Sequence, residues 1–81
     1  MGQKARSRPE RLAARLLAIR RVLGVNQTEM AKLLESDTLK QRLSEYESGR
    51  REPNLLLILK YARLAKVSVE NLIDDNLDLS L

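Results

Sequence analysis

The sequence predicts an all-α fold of five short helices, and three observations predict it. Apolar residues recur three and four positions apart along most of the chain, which is the spacing of a helix face rather than of a strand. Asparagine, serine and threonine stand just before these stretches, where they cap helix starts, and two of the three glycines stand just after them. The third observation is compositional. With no Phe, no Trp and two Tyr, the chain must build its core from Leu, Ile, Val and Ala, which suits helices packed through aliphatic ridges. Its 81 residues make one domain, burying about 60 to 65% of the unfolded surface.

Residues 1–8 are polar and basic without a period and read as a flexible arm. Pro9 suits the first turn of helix one. Leu12, Leu16, Ile19 and Leu23 form its apolar stripe, Arg11, Arg15 and Arg21 fall on other faces, and Gly24 ends it. Asn26 is placed as an N-cap with Glu29 three residues on, as in a capping box, and Val25 and Met30 are spaced as a hydrophobic staple. Helix two therefore begins at Gln27, turns Met30, Ala31, Leu33 and Leu34 inward, and stops in the polar stretch at 35–37. Thr38 then caps helix three, with Gln41 placed to return the bond. Leu39, Leu43 and Tyr46 form its apolar stripe and Gly49 ends it. After Pro53, Asn54 caps a fourth helix that buries Leu55, Ile58, Leu59 and Ala62. Ser68 caps a fifth, stapled by Val67 and Leu72. The helical domain thus spans residues 9–74. Residues 75–81 form an acidic, Leu-bearing tail whose Leu77, Leu79 and Leu81 extend a dimer interface, pack back on helix five, or stay disordered.

Charge is unevenly distributed. The net charge is +4, but residues 1–25 carry seven Lys or Arg against Glu10 alone, whereas residues 70–81 carry Glu70, Asp74, Asp75 and Asp78 and no base. A basic front end implies an anionic partner, either nucleic acid or an anionic membrane surface. A membrane-lying role fits poorly, because helix one is needed in the core. The longest apolar run, Leu55 to Leu59, is far too short to cross a bilayer or to act as a signal-peptide core, so the expected location is the cytoplasm. Without Cys or His, finger-type zinc sites, disulfides, thiol nucleophiles and imidazole bases are excluded. No enzyme activity, metal or cofactor is expected.

Helices two and three, each two to three turns long and joined by a few polar residues, have the dimensions of a helix-turn-helix. With Leu39, Leu43 and Tyr46 inward, helix three presents Lys40, Gln41, Ser44 and Glu45 on its outer side and Arg42 at the flank. These side chains suit base recognition. Lys donates to guanine O6 and N7, Gln pairs with adenine, and Glu accepts from cytosine N4. The alternative is an ordinary solvated face.

The runs NQTEMAKLL, LSEYESGRREP and LLLILKYARLAKVSVENLI together resemble the Cro/repressor-type helix-turn-helix proteins of phages and bacteria, the Xre family, from about Leu12 to Asp74. The resemblance implies a five-helix, lambda-repressor-like DNA-binding domain whose third helix enters the major groove of double-stranded DNA, most often as a homodimer on a two-fold related operator. It implies base reading by Lys40 and Gln41 with Glu45 as a third reader, and phosphate contacts by Gln27 and by Arg50 and Arg51 in the loop after helix three; by its place on helix three, Ser44 joins the readers and Arg42 the phosphate contacts. It also pairs Glu47 with Arg20 as a structural ion pair locking helix one to helix three. The implied function is transcriptional regulation, as a repressor acting by occlusion. The alternative is an antitoxin-like or adaptor module that binds a protein partner through the C-terminal tail and the extra apolar residues Leu56 and Leu57. One departure bears on the tilt of helix three: the family usually has a glycine in the turn after helix two, whereas this chain reads Leu34-Glu35-Ser36-Asp37 and is longer there.

Overall fold

The computed structural model describes residues 9–35 and 40–81, excluding the side chain of Lys40. The described residues form five helices: α1 (Leu12–Leu23), α2 (Gln27–Leu33), α3 (Lys40–Ser48), α4 (Leu55–Ala65) and α5 (Val69–Ile73). Local chemistry sets most of their ends. Asn26 Oδ1 accepts from Glu29 N at 2.8 Å while Glu29 Oε1 accepts from Asn26 N at 2.9 Å, completing a capping box at α2. Asn54 Oδ1 accepts from Leu57 N at 2.8 Å, and the Ser68 hydroxyl accepts from Asn71 N at 3.4 Å. The expected Thr38 cap and the turn at 36–37 lie outside the described residues.

Three helices close by left-handed turns. Gly24 (φ 73°) ends α1 and Gly49 (φ 83°) ends α3, as their lack of a Cβ favours. Lys66 (φ 60°) does the same after α4. Glu35 (φ 50°) also takes this conformation, so a non-glycine residue turns the chain out of α2, and its carbonyl accepts from Lys60 Nζ at 3.1 Å.

Helix α1 packs against α3, α4 and α5, and α2 packs against α3. The core between them holds Leu12, Leu16, Ile19, Met30, Leu34, Leu43, Tyr46, Leu57, Ile58, Tyr61, Ala62 and Leu72. Each large aliphatic side chain buried there contributes about 1.5 to 3 kcal/mol. Val25 and Val67 pack against this core from the positions of the two staples.

The structure corrects several inward assignments. Leu33 is 43% exposed, because α2 is covered on one side only and Met30 and Leu34 occupy that side. Leu23 lies at the rim, 36% exposed. On α4, Leu55 is 70% exposed, while Leu57 and Tyr61 are buried. The phase of the run from Leu55 to Leu59 is therefore one that buries Leu57, Ile58, Tyr61 and Ala62, the i, i+1, i+4, i+5 face. Pro9 stands before α1 rather than in its first turn, for the helix begins at Leu12.

The largest correction concerns Arg15, expected on an outer face. It is buried. One Nη1 donates to the carbonyls of Asn71 at 2.8 Å and Asp74 at 2.9 Å, and Nη2 donates to the carbonyl of Leu77. These acceptors lie on α5 and the segment after it, so the guanidinium ties the end of α5 and the chain beyond it to α1. The chain beyond α5 folds onto α1. The Asp75 carboxylate accepts from Glu10 N at 2.8 Å and Arg11 N at 3.0 Å, and Arg11 Nη1 donates to the Asp75 carbonyl at 3.0 Å. Helix α1 has no side-chain cap; Asp75, from the far end of the chain, instead pins the two residues that lead into it. Leu79 packs against the core, while Leu77 and Leu81 stay exposed.

Candidate nucleic-acid interface

Helix α3 is held by its apolar side. Leu43 and Tyr46 are buried, and Gln41, Arg42 and Ser44, which fall outside their stripe in phase, are exposed. Lys40 opens the helix, but its side chain lies outside the described residues. Gln27, from the first turn of α2, joins Gln41, Ser44, Glu45 and Arg50 in lining one open depression. Five of the residues expected to meet DNA thus share a surface. Arg42 is exposed on α3 but does not line that depression. Arg51 lines a second groove, between the start of α1 and the turn after α3, beside Pro9, Tyr46 and Pro53.

The turn after α3 follows from Gly49. Its left-handed φ lets Gly49 N donate to the Tyr46 carbonyl at 3.3 Å and Arg50 N to the Glu45 carbonyl at 2.9 Å, a Schellman closure. Arg50 and Arg51 are thereby brought back alongside the last turn of α3. Arg51 Nε also donates to Glu45 Oε1 at 2.9 Å, a contact that the sequence reading did not foresee.

Beneath this surface lies the second ionic contact. Arg20 donates to Glu47 through Nε at 2.7 Å and through Nη2 at 3.1 Å. Gln27 Nε2 donates to the same carboxylate at 3.1 Å, and Arg20 Nη1 donates to the Val25 carbonyl at 3.1 Å. The side chains are 18% and 6% exposed for Arg20 and Glu47. Three donors on one shielded carboxylate tie α1, α2 and α3 together and fix the angle at which α3 is presented. Its hydrogen bond to Glu47 holds the Arg20 guanidinium above its ordinary pKa, against the desolvation that opposes charge. Burial pushes the Tyr61 phenol up, and the Glu47 charge adds to that rise. Tyr61 therefore stays neutral; its Oη has no hydrogen-bond partner among the described residues. Gln27 accordingly serves two surfaces, since one amide N–H is directed to Glu47 while the residue still lines the depression.

Among the described residues there is no group of acids that would hold a metal ion, and no helix is long and apolar enough to cross a membrane.

Comparison with known proteins places this geometry in context. The helix-turn-helix family matches residues 16–72. Among solved structures, the chain is similar in fold to the P22 c2 repressor protein, whose crystal structure is in complex with synthetic operator 9T in the presence of Tl+. The TM-score is 0.69 at 22% identity, covering 79% of this chain and 94% of that one. No curated protein matches the sequence.

Proposed function

Because the chain belongs to the Cro/repressor-type helix-turn-helix family of DNA-binding proteins, we propose that it is a transcriptional repressor, binding its operator as a cytoplasmic homodimer and acting by occlusion. The observation that carries this is the polar face of α3: Gln41 and Ser44 stand exposed above buried Leu43 and Tyr46, in one depression with Gln27 and Arg50. Lys40, Gln41, Ser44 and Glu45 read base edges in the major groove, where each base pair presents its own donors and acceptors. Gln27, Arg42, Arg50 and Arg51 contact phosphates and set the register. The Arg20–Glu47 pair maintains the angle between the helices. The P22 c2 repressor, crystallised with an operator and similar in fold, supports the same use of this architecture. No cofactor and no catalytic step are proposed.

A second reading, an antitoxin-like or adaptor module, keeps Leu56, 62% exposed, and gains Leu55, 70% exposed, but loses Leu57, which is buried in the core. The tail favours it less, because Asp75 and Leu77 are engaged with α1. Titration of the protein onto a panel of random duplexes at two salt concentrations separates the readings. A repressor selects particular sequences, and its log K falls with log salt by about 0.9 for each phosphate neutralised. Equal binding to every duplex reduces the function to anion attraction, and no binding favours the protein-interaction module.

A further inference from the structure

Glu45 stands on the polar side of α3 with a cation already attached to it. Arg51 Nε donates to its Oε1 at 2.9 Å, across the turn made by Gly49. The main chain ties the same residues, since the Glu45 carbonyl accepts from Arg51 N at 3.3 Å as well as from Arg50 N at 2.9 Å. A guanidinium whose backbone and side chain are both anchored to one residue holds that residue's carboxylate in one orientation. The Glu45 side chain is 36% exposed and lines the depression with Gln27, Gln41, Ser44 and Arg50. Only its Oε1 is engaged among the described residues, leaving Oε2 able to accept.

An acid on a DNA-facing surface needs a reason. Phosphates repel it, and the attached Arg51 offsets that repulsion by placing the opposite charge beside it. What remains is a fixed group that accepts hydrogen bonds and cannot donate them. In the major groove, guanine presents two acceptors and thymine an acceptor and a methyl, neither of which satisfies a carboxylate. Adenine presents its N6 donor beside the N7 acceptor, whose lone pair repels a carboxylate approaching that edge. Cytosine presents its N4 amino group without a neighbouring N7.

Resting on the DNA-binding function proposed above, we infer that Arg51 is a positioning residue for Glu45, and that Glu45 reads the N4 amino group of one cytosine in the operator. Arg51 then does more than neutralise a phosphate: Nε orients the reader, and its terminal N–H groups are left for the backbone. Specificity at one base pair is thereby built by two residues, one of which touches no base.

Selection from a random duplex library, followed by affinities for every single-base variant of the selected site, tests this with wild type, Glu45→Gln, Arg51→Gln and Arg50→Gln. All three positions are exposed or half-buried, and circular dichroism checks that each variant is folded. Glu45→Gln is expected to lower discrimination at one C·G pair about tenfold, the scale of a side chain-to-base contact. Arg51→Gln is expected to weaken discrimination at that same pair as well as overall affinity, and Arg50→Gln to lower affinity alone. Loss of affinity for all sequences equally in Arg51→Gln, with the cytosine preference intact, overturns the positioning role. Retention of that preference by Glu45→Gln, or a change at a pair other than C·G, overturns the cytosine assignment. A wild-type protein that selects no sequence removes the sequence-specific DNA-binding function itself, a result distinguishable from the other two.

Discussion

Replacing Glu47 by alanine probes the contact that sets the geometry of α3. The carboxylate is 6% exposed and receives Arg20 Nε at 2.7 Å, Arg20 Nη2 at 3.1 Å and Gln27 Nε2 at 3.1 Å. Its removal strands the Arg20 guanidinium, which is 18% exposed and keeps only the Val25 carbonyl at 3.1 Å. Breaking a buried pair by removing one partner costs about 3 to 5 kcal/mol. The remaining bond and the partial exposure of Arg20 place this case near the lower end, about 3 kcal/mol. For a chain of 81 residues, total stability is roughly 4 to 12 kcal/mol, so the loss is a large fraction of it. Thermal unfolding should then fall by about 12 to 24 °C. Urea unfolding followed by circular dichroism at 222 nm measures the difference, and repeating it at high salt tests the burial, because a shielded pair is screened little. Replacing both residues with Leu should cost less than the two single losses added together, since neither charge is then stranded. A loss for Glu47→Ala well under 1 kcal/mol, or one that disappears in high salt, refutes the claim that this pair is a buried clamp.

Other perturbations address separate contacts. Arg15→Ala removes the donors to the carbonyls of Asn71, Asp74 and Leu77; a destabilisation of about 2 to 4 kcal/mol is expected, with faster proteolysis after α5. Arg15→Lys should recover little of it, because an ammonium lacks the planar fork. Gly49→Ala should cost about 1 to 2 kcal/mol in urea, through its left-handed φ and not through crowding, since the nearest atom to an added Cβ is Ala13 Cβ at 3.8 Å. Hydrogen bonds from the Glu10 and then the Arg11 backbone hold the Asp75 carboxyl below its ordinary value of 3.8. A depressed folded value stabilises above the unfolded pKa and is lost as pH falls through the folded one. The amide resonances of Glu10 and Arg11 should therefore shift with a midpoint below pH 3.8, and that transition should vanish in Asp75→Asn.

What the sequence revealed was mostly what neighbouring residues decide among themselves. The caps at Asn26, Asn54 and Ser68 and the glycine closures at Gly24 and Gly49 act within one turn, so spacing alone identified them. The run from Leu55 to Leu59 is apolar at every position and carries no phase, which is why Leu55 was expected inside and Leu57 was not. Only the packing of α4 on α1 settles it. Arg15 was misread for a related reason: its acceptors are 56, 59 and 62 residues away, and nothing in its own helix distinguishes it from exposed Arg21. The bonds from Glu10 N and Arg11 N to Asp75 span 65 and 64 positions and were equally invisible. At the interface, the outward phase of Gln41 and Ser44 was readable from the helical period. The contact between Arg51 and Glu45 depends on how Gly49 reverses the chain and required coordinates.

The most direct test of which face meets DNA is an NMR titration of isotope-labelled protein with the duplex that it selects. The predicted result is that amide shifts concentrate on Gln27, Gln41, Ser44, Glu45, Arg50 and Arg51, while Asp75 to Leu81 stay unmoved. Shifts centred instead on Leu55 and Leu56 or on the tail, with α3 silent, would contradict it.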